Sequence, residues 1–170
     1  MIFGGLPGQP PVMVFYGGVI LADMHRVIVR VTGSQRGLDG EDDTINMLAE
    51  GRHYSRNGIH YVLYDDRSLT KGQKTATVLK IGADTLTLVR QGAVTHRMEF
   101  DMARESRSHY RTPFGSLELG CQTRRLDIDY GTVSGTVDVD YALAVNGRPQ
   151  SENTLHIEIA TAPEDRHRLN

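Results

Sequence analysis

The sequence predicts an all-β protein, a single antiparallel up-and-down barrel of about eight to ten strands. Three observations lead there. Between Thr132 and Val145 the odd positions Val133, Val137, Val139, Tyr141, Leu143 and Val145 are apolar, while Ser134, Thr136, Asp138 and Asp140 are polar. That period of two marks a strand with one buried and one wet face, and the run is longer than an ordinary strand of about 5–6 residues, as a curved sheet requires. Turn signals separate most of the other alternating runs, and no segment carries a convincing helical period. No stretch repeats at a period of about 20–50 residues, which argues against propellers and solenoids.

Each element follows from the same reading. His25 to Thr32 alternates through Val27, Val29 and Val31. Gly33 to Asp43 is patternless and reads as a loop. Thr44 to Ala49 places Ile45, Met47 and Ala49 on one face, and Glu50 to Ser55 continues it past a bend at Gly51. Asn57-Gly58 is the strongest hairpin signal, since both residue types accept positive φ. Ile59, Tyr61 and Leu63 share a face of the next strand, and Asp65 to Gly72 is a polar loop. Gln73 to Ile81 and Thr85 to Arg90 form a hairpin about Gly82-Ala83; Gln91-Gly92 leads into Val94 to Asp101, and a further turn into Glu105 to Arg111. Pro113 and Gly115 break the ladder as a bulge or corner would. Ser116 to Cys121, Leu126 to Tyr130, Thr132 to Val145 and Thr154 to Ala160 complete the set, with Asn146-Gly147 as the last tight turn.

The chain of 170 residues is long enough for one domain with its own core. Its net charge of −2 offers no electrostatic case for nucleic acid or an acidic membrane. The single Cys121 shares strand parity with Leu117 and Leu119 and reads as a buried thiol in a reducing compartment. Residues 1–23 read as an extension, 24–162 as the barrel and 163–170 as a charged tail. The extension is rich in Gly and Pro, lacks the basic region and cleavage site of a secretory signal, and its apolar run Val12 to Tyr16 is too short to span a bilayer. Gly17-Gly18 is compatible with a purine-rich ribosome-binding sequence, so Leu21 or Met24 competes with Met1 as the translation start.

From Thr77 onward the residues resemble a known family. The pieces are Thr77-Val-Leu-Lys-Ile, Leu88-Val-Arg-Gln-Gly, Met98-Glu-Phe, Tyr110-Arg-Thr-Pro-Phe-Gly-Ser-Leu-Glu-Leu, Gly135 to Leu143, Gly147 and Asn153-Thr-Leu-His-Ile. In this order and spacing they resemble the YwiB-like family (DUF1934) of bacteria, over about residues 44–160. The resemblance implies a calycin-like, lipocalin-type barrel in a bacterial cytoplasm, and it implies no reaction. Ala103 departs from a position where the family tends to have Gly.

Hairpin registers suggest where chemistry could sit. With Gln91-Gly92-Ala93 as a three-residue loop, Arg90 faces Val94, Leu88 faces His96 and Leu86 faces Met98. Pairing about Gly82-Ala83 adds Leu79, Thr77 and Thr75 to that face and sets Thr75 near Arg90. The inner face is then apolar at one end and polar at the other, with Arg90, His96, Thr75 and Thr77 at the polar end and Tyr110 in reach. An interior arginine must be paired or wet. Either an internal carboxylate or carbonyl cluster neutralises Arg90 and closes the barrel, or Arg90 meets the anionic head of a small molecule whose apolar part lies along Leu86, Leu88 and Met98. A cavity of about 300 Å3 or more at Arg90 favours the ligand. A packed interior favours an interaction module that meets protein or RNA through its outer face or loops.

No catalytic set assembles. There is no Gly-x-Ser-x-Gly elbow and no phosphate loop. The seven histidines form no metal-ligand spacing, so no metal or cofactor is expected, although His96 and His109 could approach across one hairpin. The pairs Asp127/Asp129 and Asp138/Asp140 alternate with apolar residues and read as solvated surface. Arg104, Arg107, Arg111, Arg124 and Arg125 are interspersed with acids and lack the interleaved aromatics of an oligonucleotide-binding face.

Overall fold

The computed structural model of the chain describes residues 24–66 and 73–163, so the competing translation starts, most of the charged tail and the greater part of the 65–72 loop lie outside the described residues. Ten strands follow in order: β1 (His25–Gly37), β2 (Asp42–Arg56), β3 (Ile59–Asp66), β4 (Thr75–Ile81), β5 (Thr85–Gly92), β6 (His96–Asp101), β7 (Ser106–Thr112), β8 (Gly115–Tyr130), β9 (Gly135–Val145) and β10 (Arg148–Thr161). They form one antiparallel sheet in the order β6-β5-β4-β3-β2-β1-β10-β9-β8-β7. The first and last strands are therefore zipped together, Val27 against Thr161 through Gly37 against Ser151, and the sheet curls into a nearly closed barrel.

Several strands run further than their sequence pattern suggests. β2 passes through Gly51 because only hydrogen fits there: a Cβ would come within 2.8 Å of the Leu63 carbonyl and 3.2 Å of Val29 Cγ2. β8 is one strand rather than two, carried over the basic Arg124-Arg125 pair by a bulge between Thr123 and Arg125. At Pro113 and Gly115 the chain makes a sharp corner and not a bulge. Thr112 pairs with Gly115 across a two-residue turn, in which Thr112 Oγ1 accepts from the Phe114 N–H at 3.1 Å and donates to the Gly115 carbonyl at 3.2 Å. Asn57-Gly58 and Asn146-Gly147 close their hairpins with positive φ at all four residues.

The seam lies in the middle of the chain. β6 and β7 share a single bridge, where Thr95 N–H donates to Arg111 O at 2.9 Å and Arg111 N–H returns to Thr95 O at 2.8 Å. Below it, side-chain hydroxyls stand in for strand carbonyls. Ser106 Oγ accepts from Glu99 N–H at 3.3 Å and Thr123 Oγ1 accepts from Asp101 N–H at 3.1 Å. Those contacts satisfy N–H groups that an open edge would leave without partners.

The interior core holds Val27, Val29, Val62, Leu79, Ile81, Leu86, Phe100, Val137, Val139, Ile157 and Ile159. A second cluster, Tyr54, Leu63, Val78 and Val89, is buried on the outer face of β2–β5, with Met24 and Tyr61 packed against it. Here both faces of the sheet are covered, which is why β4 and β5 carry adjacent apolar residues such as Val78-Leu79 and Leu88-Val89. Among the described residues no helix is long and apolar enough to cross a membrane.

Candidate functional site

At the barrel end where β3 and β5 finish and β4 and β6 begin, the interior opens into a cavity of about 340 Å3. Leu88, Met98, Phe100, Tyr64, Tyr141 and Met47 supply much of its wall; Arg90, His96, Asp66, Thr44 and Asn46 supply polar groups. The strands deliver these side chains by parity. Arg90 on β5 lies opposite His96 on β6, Leu88 opposite Met98 and Leu86 opposite Phe100.

That register corrects the one expected from a three-residue loop at Gln91–Ala93. The connection is longer because Thr95 is drawn across the seam to Arg111 and Val94 is buried beside it. The Gly82 turn is also wider, closed by Gly82 N–H to Thr85 O at 2.9 Å, so Thr77 and not Thr75 stands opposite Arg90. Each correction shifts the pairing by two residues, and a shift of two leaves every side chain on the same face.

Thr75 and Thr77 are fully buried behind Arg90, and Thr77 Oγ1 donates to the Thr75 carbonyl at 3.3 Å. Tyr110 reaches the region across the seam, its ring edge-on to His96 with centroids 5.2 Å apart. His109 points the other way and is exposed, so the approach of His96 and His109 does not occur.

The polar groups of this end are under-supplied with partners. Arg90 Nε, both ring nitrogens of His96 and Thr75 Oγ1 are buried without a hydrogen-bond partner among the described residues. No carboxylate among the described residues forms an ion pair with Arg90, although Asp66 lines the same cavity. His96 is 4 % exposed, and burial, reinforced by the Arg90 charge, pushes its imidazole down to about 4. It is therefore neutral at pH 7, with one nitrogen a donor and the other an acceptor. Burial pushes the Tyr64 and Tyr141 hydroxyls up to about 12, so both face the cavity as neutral phenols.

The opposite end holds a group the sequence pattern did not assemble. His53, from β2, puts Nε2 3.0 Å from His60 Nδ1 on β3, and its ring stacks against His60 and Tyr130 at centroid distances of 5.2 and 5.9 Å. His25 lies opposite His53 on β1. The signal was the turn: Asn57-Gly58 as a two-residue hairpin pairs Arg56 with Ile59, which places His53 and His60 on neighbouring strands with the same parity. No group of three or more metal-binding side chains occurs among the described residues.

Elsewhere part of the charged surface is self-paired. Arg124 forks onto Glu152 at 3.1 and 2.8 Å, Arg125 bridges Asp140 and Asp127 at 2.9 and 2.8 Å, and Arg104 reaches Glu99 and Asp101. Asp138 holds His156 at 2.6 Å. Cys121 is buried, and that burial pushes its thiol up to about 12, which disfavours a resting thiolate.

Comparison with known proteins gives a family and a fold. Residues 29–157 match the family described as "Domain of unknown function (DUF1934)". The uncharacterized beta-barrel protein YwiB of Bacillus subtilis (strain 168) is 23% identical over 120 residues, covering 70% of this chain and 82% of that protein. The crystal structure of ywiB protein from Bacillus subtilis superposes with a TM-score of 0.73 at 20% identity, over 83% of this chain and 94% of that one.

Proposed function

The chain belongs to the DUF1934 family, and since that description assigns no activity, we propose from the cavity itself that the protein is a non-enzymatic binding barrel for a small amphipathic or anionic molecule. One observation carries the reading. A 340 Å3 space is apolar over much of its wall and ends at a guanidinium and an imidazole that the described part of the chain leaves without partners. Folded chains satisfy buried polar groups, and a ligand head is a way to satisfy these. A packed interior, as an interaction module would have, fits the cavity less well. The described residues of the site do not combine a nucleophile, a base and an orienting group, so the proposal is binding and not turnover. A calycin-like role in a bacterial cytoplasm agrees with the bacterial relative and the free buried cysteine.

The test is native mass spectrometry of the protein purified from its own host, alongside Arg90→Met. The wild type is expected to retain a small molecule that the variant loses, with melting temperatures within a few degrees of each other. A variant that melts far lower and retains the same molecule would make Arg90 a structural plug and remove the anchor of the proposal.

A further inference from the structure

We infer that the molecule held by this cavity carries a monocarboxylate head with a hydrogen-bond donor, such as a hydroxyl, beside it. This rests on the binding-barrel reading above and narrows it to a chemical class. The head must answer what the polar end offers. Arg90 and His96 are direct cross-strand partners, so their side chains leave the sheet about 4.5–5.5 Å apart at Cβ. Arg90 Nε is a buried donor without a partner in the described chain. A carboxylate accepts from a guanidinium through two oxygens in the plane of its fork, a match that a neutral amide makes only in part.

His96 adds a requirement that a bare carboxylate does not meet. A buried neutral imidazole has one N–H and one lone pair, and here neither nitrogen has a partner among the described residues. The N–H can share the carboxylate. The lone pair needs a donor, and a hydroxyl or N–H adjacent to the carboxylate would supply it from the same head.

Charge sets the upper limit. Among the described residues Arg90 is the cation in the wall of the cavity, His96 is held neutral, and Asp66 contributes an acidic side chain to the same wall. One negative charge is matched by one guanidinium. The second charge of a phosphate monoester would enter a largely apolar space with no second cation among the described residues to meet it. Size is bounded too: at ~30 Å3 per water, 340 Å3 is room for about eleven waters, hence a molecule of roughly ten to fifteen non-hydrogen atoms.

The experiment is calorimetric titration of the full chain at pH 7 with four probes sharing a phenyl body: 3-phenyllactate, 3-phenylpropionate, 3-phenylpropanamide and 2-phenylethyl phosphate. Phenyllactate should bind at least tenfold tighter than phenylpropionate, and phenylpropionate at least tenfold tighter than the amide or the phosphate. Arg90→Gln should erase the gap between carboxylate and amide. His96→Phe should erase the gap made by the hydroxyl and leave the carboxylate preference. Each variant is first checked for a cooperative melt, and the two report separate halves of the head, so one that fails to fold leaves the other decisive. Phosphate binding as tightly as the carboxylate, an amide equal to it, or a hydroxyl without effect overturns the inference while leaving a barrel that takes amphipathic guests. If no probe binds, the inference falls. Should toluene also leave the Met98 and Leu88 methyl resonances unmoved, the binding reading falls with it.

Discussion

Each end of this barrel buries a histidine, and the two are treated differently. His53 is 1 % exposed and His96 4 %, and burial pushes both imidazoles down to about 4. At the His53 end the chain answers half of the demand: Nε2 meets His60 while Nδ1 is buried without a partner among the described residues, and the ring packs in a triangle with His60 and Tyr130, themselves 4.3 Å apart. At the His96 end the neighbours are an arginine, which opposes protonation, and a tyrosine edge, and both nitrogens are left without a partner among the described residues. Burial and a displaced titration are thus poor markers of a binding site when taken alone. What separates the two ends is how much the protein itself supplies: one ring nitrogen of His53 has a partner among the described residues, and neither of His96 has.

Acid tests the comparison with the largest expected effect. Both folded-state values lie below the usual 6.5, so the unfolded chain takes up protons first. The stability tied to these neutral imidazoles is complete above about pH 6.5 and falls away as the pH drops toward 4, by about 3 kcal/mol for each. Urea unfolding between pH 7 and pH 4 should show this fall, and His53→Phe and His96→Phe should each remove about half of it. A saturating carboxylate that binds at Arg90 should blunt the His96 share and leave that of His53 alone. An unchanged slope in either variant would dissociate that residue from the acid response.

Next comes the floor between the filled half and the cavity. Phe100 is fully buried and meets Tyr141 edge-on with centroids 4.9 Å apart. Phe100→Ala should cost about 3–5 kcal/mol in chemical denaturation and enlarge the cavity downward. A loss under about 1 kcal/mol would mean the half below is as loosely filled as the half above.

The smallest effects sharpen the contrast most. His60→Ala removes the partner of His53 Nε2 and should cost about 1–3 kcal/mol, the penalty for stranding a buried polar atom. His96→Phe strands nothing new, so at pH 7 it should be close to neutral in stability. Equal losses from the two substitutions, read from urea midpoints, would show that His96 has a partner after all.

Much of this was legible in the sequence, and the limits have physical causes. The turn signals at Gly82-Ala83 and Gln91-Gly92 set the parity of β4 to β6, and parity alone placed Arg90, His96, Thr75 and Thr77 on one inner face. Loop lengths were misjudged by two residues at both Gly82 and Gly92, because closure across the seam and packing of Val94 set them, and neither is a local property. The seam itself was hidden: β6 and β7 are consecutive with a short turn, which looks like any other hairpin until β1 is seen to pair with β10. The outer cluster around Tyr54 and Val78 breaks the rule of one wet face: Leu63, Val78 and Val89 face one another across β3, β4 and β5 on the side that alternation assigns to solvent.

The union of β1 with β10 also governs how the molecule comes into being. Val27 meets Thr161 only once β10 has been synthesised, so one side of β1 stays a raw margin until β10 arrives. Closing so long a loop makes this junction entropically slow. A nascent half-sheet of β1 to β6 would therefore be vulnerable to joining a neighbour's half instead of its own, and prompt completion is what shields the chain from clumping.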